Sequence, residues 1–110
     1  MELVARISRV GGKSVLGLSG EIDLATVPQL HNALSRAVSD GSEPTIVVDL
    51  EGVYACDDTA LGVLLGAAGR TRESGGELYV VCSAGPLRDR LARTGFDRAV
   101  HVVATISDIA

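Results

Sequence analysis

Val53-Tyr54-Ala55-Cys56-Asp57-Asp58-Thr59-Ala60-Leu61-Gly62-Val63-Leu64-Leu65-Gly66 decides how this chain reads. Just upstream, Thr45-Ile46-Val47-Val48-Asp49-Leu50 has little polar alternation, the mark of a strand covered on both faces. Downstream, Leu61, Leu64, Leu65 and Ala68 recur at helical spacing and predict one apolar side of a helix. Between them lies a short acidic turn, so Asp57, Asp58 and Thr59 fall at a strand-to-helix junction. Free backbone N–H groups and the positive end of the helix dipole favour negative charge there. The plainest role for Asp58 and Thr59 is to cap the helix, worth ~1 kcal/mol. A hydroxyl beside carboxylates at such a point also suits a switch or a docking contact.

On the N-terminal side, Val4 to Val10 and Ser14 to Ser19 read as two strands around Gly11-Gly12, an antiparallel hairpin. Thr26 and Pro28 supply a cap and a first-turn proline for a helix whose Val27, Leu30, Leu34, Ala37 and Val38 form one stripe. That helix should stop near Asp40-Gly41. On the C-terminal side, the junction helix should end before Gly75-Gly76, and Glu77 to Cys82 reads as a strand. Pro86 opens a third helix with Leu87 and Leu91 inward, and Gly95 closes it. Arg98 to Val103 is a last strand, and Thr105 to Ala110 reads as the start of a final helix. The order β-β-α-β-α-β-α-β-(α) predicts a single α/β domain over residues 1–110. Its mixed, mostly parallel sheet has four to five strands, with right-handed helical crossovers. Such sheets gather functional loops at the carboxyl ends of their strands. The junction, the loop after Cys82 and the Asp23 region should meet at that edge.

Composition narrows the function. A net charge of −4, no Trp and one Phe argue against a nucleic-acid binder, which needs a basic face or stacking platforms. Arg88, Arg90 and Arg93 cluster on one short helix, where they read as its solvated side. No run approaches the ~18–20 apolar residues of a membrane span, and Met1 to Arg6 lacks a secretory pattern, so the expected location is cytoplasmic. Cys56 and Cys82 have no CxxC or Cys/His spacing, and His31 and His101 lie far apart, so neither a metal nor another cofactor is expected. An enzyme with Cys56 as nucleophile is a weak alternative: no His or Lys base is near in sequence, and Asp57 and Asp58 disfavour a thiolate.

Three further features stay open to two readings. Cys56 and Cys82 are a redox-switch candidate if the fold brings them together, and otherwise two packed core thiols. Asp23 is a partner contact or an Asx-turn residue. Gly62 and Gly66, costing ~1 kcal/mol each in a helix, mark a smooth docking face or tight packing on the sheet.

Ser19-Gly20-Glu21-Ile22-Asp23-Leu24-Ala25-Thr26, Val47-Val48-Asp49-Leu50 and Asp57-Asp58-Thr59-Ala60-Leu61-Gly62-Val63-Leu64-Leu65 resemble the STAS domain. Within that family they resemble the bacterial anti-sigma factor antagonists. Gly75-Gly76-Glu77-Leu78 and Leu91-Ala92-Arg93-Thr94-Gly95-Phe96 fit as well, so the resemblance spans nearly the whole chain in order. The compact length fits the free-standing antagonists better than transporter-attached members.

The resemblance implies a non-enzymatic partner switch. Its partner would be an anti-sigma factor, usually a serine kinase of the histidine-kinase-like fold, whose capture frees a sigma factor for transcription. It implies partner contacts at Asp23, Asp57, Asp58 and Thr59; Gly62, on the smooth face of the helix, is a further contact candidate, and a monomer or weak homodimer is expected. The family's junction motif is Asp-Ser-Ser/Thr-Gly-Leu, phosphorylated on the first hydroxyl. Here the acid falls on Asp57, the phosphoacceptor position on Asp58 and the glycine on Ala60. The chain therefore mimics the phosphorylated state, has a partner adapted to an acid, or moves the switch to Thr59. Alternatives within the family are a scaffold subunit of a stress-signalling or lipid-transport complex, and a redox-switched antagonist using Cys56 and Cys82.

Overall fold

The structure, a computed structural model, describes residues 3–40 and 43–109. Its elements are β1 (Leu3–Val10), β2 (Lys13–Ile22), α1 (Val27–Asp40), β3 (Thr45–Cys56), α2 (Asp58–Glu73), β4 (Glu77–Val81), α3 (Pro86–Arg93), α4 (Phe96–Ala99) and β5 (His101–Val103). A 3-10 turn over Ile106–Asp108 follows. The five strands lie in sequence order, with β1 antiparallel to β2 and every later pairing parallel. This is the mixed α/β architecture expected from the sequence. Gly11 and Gly12 take φ of 53° and 78°, the left-handed pair a two-residue type I′ hairpin requires.

Because the strand order never reverses, each right-handed crossover advances the same way and the helices share one face. That face holds the main core: Leu16, Val48, Leu50 and Val80 of the sheet against Leu30, Leu34, Leu64 and Leu91 of the helices. The opposite face carries a smaller cluster, Val15, Val47 and Val81, closed by Ile109 with Ile106 beside it. No helix among the described residues is long and apolar enough to cross a membrane.

Several boundaries differ from the sequence expectation. The central strand continues past Leu50 to Cys56, and β2 runs on beside it to Ile22. Register shifts after Gly17 and Gly20 let the two strands stay paired through Gly52 and Ala55. The acidic turn is thereby reduced to Asp57 alone. Arg98 belongs to α4, a single turn that leaves only His101–Val103 for the last strand. Thr105 and Asp108 close a capping box around the 3-10 turn instead of opening a long helix; Gly41 and Ala110 lie outside the described residues. Leu65 is exposed, 39% accessible, because it falls at the edge of the α2 apolar arc.

Candidate functional site

The carboxyl ends of β2 and β3 and the amino end of α2 meet as the topology predicts. Asp57 donates its backbone N–H to the Ile22 carbonyl at 3.1 Å, tying β3 to β2. Its carboxylate then accepts from the Ala60 N–H at 3.3 Å, so Asp57 is the N-cap of α2. The expected caps, Asp58 and Thr59, are instead the first two helical residues, and both are exposed. Asp23 forms a local turn: its Oδ1 accepts from the N–H groups of Ala25 (3.0 Å) and Thr26 (3.1 Å). Thr26, expected as the cap of α1, donates its hydroxyl to the Glu21 carbonyl and accepts from the Asp23 N–H. It locks the Asp23 loop onto the end of β2.

A cleft of about 420 Å³ lies between these strand ends and α3, with Asp23, Tyr54, Cys56, Asp57, Arg90 and Arg93 on its walls. A second groove, about 500 Å³, runs between α2 and the α3–α4 corner past Asp58, Gly62, Leu65 and Phe96. Asp58 stands on the ridge between them. Gly62 opens into free space, since a Cβ there would meet nothing within 4 Å. Of its two readings, packing on the sheet is excluded. Leu24 and Tyr54, 74% and 58% accessible, add apolar surface beside the cleft. Partial desolvation, reinforced by the Glu21 and Asp23 carboxylates, holds the Tyr54 phenol above its ordinary pKa. It is a neutral hydrogen-bonding group at physiological pH.

The arginines of α3 are not merely its solvated side. Arg88 donates to the Cys82 carbonyl at 2.7 Å and to the Val102 carbonyl at 3.4 Å, fastening α3 to the sheet edge. Arg90 Nη2 meets Asp58 Oδ1 at 2.5 Å. Tyr54, Leu24 and Arg90 were missed from sequence. A lone exposed Leu or Tyr carries no periodic signal, and the Arg90–Asp58 contact joins residues 32 apart.

Both cysteines are free and buried. Burial pushes the Cys56 thiol up to about 11, with Arg90 opposing and Asp57, Asp58 and Cys82 adding to the rise. Burial likewise raises Cys82, helped by Glu51. A protonated, covered thiol is a poor nucleophile and a poor redox sensor. Iodoacetamide at neutral pH is therefore expected to label Cys56 far more slowly than an unfolded control; equal rates would contradict the burial. The unfolded chain releases this proton near 9.0 and the folded chain near 11. The group's contribution to stability is full below 9.0 and is lost as pH rises toward 11. Urea midpoints measured on both sides of that window should fall less steeply in Cys56→Ser than in wild type.

The family described as "Mlab, STAS domain" matches residues 5–104, and the chain belongs to the STAS-domain family. An anti-sigma-B factor antagonist of Staphylococcus aureus is 34% identical over 89 residues, covering 77% of this chain and 78% of that protein. An anti-sigma F factor antagonist of Paenibacillus polymyxa is 30% identical over 91 residues, covering 83% and 77%. The crystal structure of an anti-sigma factor antagonist from Mycobacterium paratuberculosis superposes with a TM-score of 0.87 at 28% identity, covering 96% and 89%.

Proposed function

We propose that this chain is a non-enzymatic anti-sigma factor antagonist that docks an anti-sigma factor through the amino end of α2 and so frees a sigma factor for transcription. The observation that carries the reading is the junction itself. Asp57 caps α2 and fixes the turn, while Asp58, Thr59 and Gly62 project from it into solvent. Such a face is rigid, small-featured and flanked by two clefts, which suits capture of another protein better than turnover of a substrate. Antagonist relatives at 30–34% identity support the same choice. A scaffold subunit of a stress-signalling or lipid-transport complex would use the same fold with another partner. A redox-switched antagonist is disfavoured by the burial of both thiols.

The partner is an anti-sigma factor of the serine-kinase type, and the antagonist escapes its kinase activity because Asp58 occupies the phosphoacceptor position. Each anti-sigma factor of the source genome, purified singly, is titrated with the protein and then incubated with it and ATP. Saturable binding to one of them is expected, with no mass change in wild type and one added phosphate in Asp58→Ser. Stoichiometric phosphate on Thr59 would overturn the kinase-independent reading. Absence of binding to any anti-sigma factor, with recovery of transporter or scaffold subunits instead, would overturn the antagonist assignment.

A further inference from the structure

The ion pair on the ridge joins the first residue of α2 to the middle of α3, two elements with no other reason to share a charge. Asp58 keeps 82% of its side chain accessible, yet its Oδ1 lies 2.5 Å from Arg90 Nη2. Arg90 is far less free: its side chain is 36% accessible, and its Nε is buried without a hydrogen-bond partner among the described residues. The guanidinium is thus partly enclosed, with its Nε covered and its Nη2 turned to the carboxylate. Holding it there costs a buried donor, and a simple surface pair worth ~0.2–1 kcal/mol does not repay that loss.

The cost makes sense if the pair matters when the ridge is covered. A protein docking on the start of α2 strips water from Asp58. A lone carboxylate desolvated there is penalised heavily, whereas one already bonded to a guanidinium presents a nearly neutral edge. Arg90 also lines the cleft, and a guanidinium has five N–H donors, more than the one carboxylate uses, so an acceptor of the partner can be met there.

We propose that Arg90 is the specificity-determining counter-ion of this docking face: by neutralising Asp58 it lets a partner close over an acid that would otherwise repel it. The inference rests on the antagonist reading above. It identifies the fitting partner as an anti-sigma factor whose contact surface is uncharged or hydrogen-bond-accepting opposite Arg90. A partner with a second acid against Asp58 is rejected.

The test is a double-mutant cycle with the anti-sigma factor that wild type binds, using wild type, Arg90→Gln, Asp58→Asn and the double variant. Arg90→Gln should weaken binding by about tenfold or more, because it leaves a carboxylate to be buried unpaired. The double variant should return to within about threefold of wild type, because no charge is then left to be buried unpaired, whereas Asp58→Asn alone strands the Arg90 guanidinium and should lose affinity as Arg90→Gln does. Thermal midpoints of all four should differ by only a few degrees, since the exposed pair contributes little to folding. Wild-type binding in Arg90→Gln would overturn the proposal, and so would an equal loss in Arg90→Gln and the double variant, which would make Arg90 a direct contact. In the free protein, nitrogen relaxation of Arg90 Nε should show an ordered guanidinium that loosens in Asp58→Asn; no change would remove the pairing itself. If that loosening is seen but wild type binds no anti-sigma factor, it is the antagonist reading that fails and not the pair.

Discussion

Alanine at Gly76 or Gly52 is expected to destabilise the fold by about 2 kcal/mol or more, the upper part of the range for overpacking a closed site. A Cβ on Gly76 would be driven into the carbonyl of Pro44. On Gly52 it would lie 2.6 Å from the Ser19 Cβ and 3.0 Å from the Leu18 carbonyl oxygen. At Gly76 a backbone carbonyl sets the limit and at Gly52 the Ser19 Cβ, whose place is fixed by its own backbone, so no side-chain rotation relieves either contact. The two glycines act at different points along the central strand. Gly76 leads into β4 where Glu77 bonds the Pro44 carbonyl, and Gly52 sits at the register shift that lets β3 follow β2 to Asp57. Gly69 is the control, since a Cβ there meets nothing within 4 Å and alanine should stabilise α2 by ~0.5–1 kcal/mol. Urea denaturation of the three variants decides. Stability of Gly76→Ala and Gly52→Ala equal to wild type would show that the strands have room to part.

The same glycine explains where the sequence was legible and where it was not. Thr45 to Leu50 reads as a central strand because Ile46, Val47, Val48 and Leu50 leave it little polar alternation. Glu51-Gly52-Val53-Tyr54 breaks that pattern, and only the pairing with β2 shows that the strand persists. A register shift leaves no periodic trace. The junction was placed correctly because strand and helix periodicities change on either side of it. The capping residue was misassigned because Asp57, Asp58 and Thr59 are all good caps. What decides is the start of the helix, which places the Asp57 carboxylate opposite the Ala60 N–H. Asp23, likewise, was open to a local reading, and its turn is formed. The antiparallel hairpin was legible from Gly11-Gly12 between two strand-like runs. The Asp58–Arg90 pair was not, because nothing in one chain's local pattern records a contact between elements so far apart in sequence.

Gly62→Gln is expected to weaken anti-sigma factor binding by about thirtyfold, a cost of about 2 kcal/mol, which is the scale of a contact at the centre of an interface. Stability should not fall. Glutamine is a better helix former than glycine by roughly 0.5–1 kcal/mol, and the site is open on the free protein. The two effects have opposite sign, which separates docking from folding. Glycine persists in the first turns of α2 at a cost to the helix, beside a groove lined by Leu65 and Phe96. Packing inside this chain does not account for that cost; under the docking proposed above, a partner that needs the backbone of α2 within reach would. A neutral side chain is chosen because a basic one, four residues after Asp58, would compete with Arg90 for its carboxylate. Gly69→Gln, further along the same helix and outside the groove, should leave affinity within about threefold of wild type. If Gly62→Gln binds as wild type does, the partner does not cover this part of α2. The docking face would then lie on the Tyr54 and Asp23 side of the ridge, where the larger apolar residues are exposed.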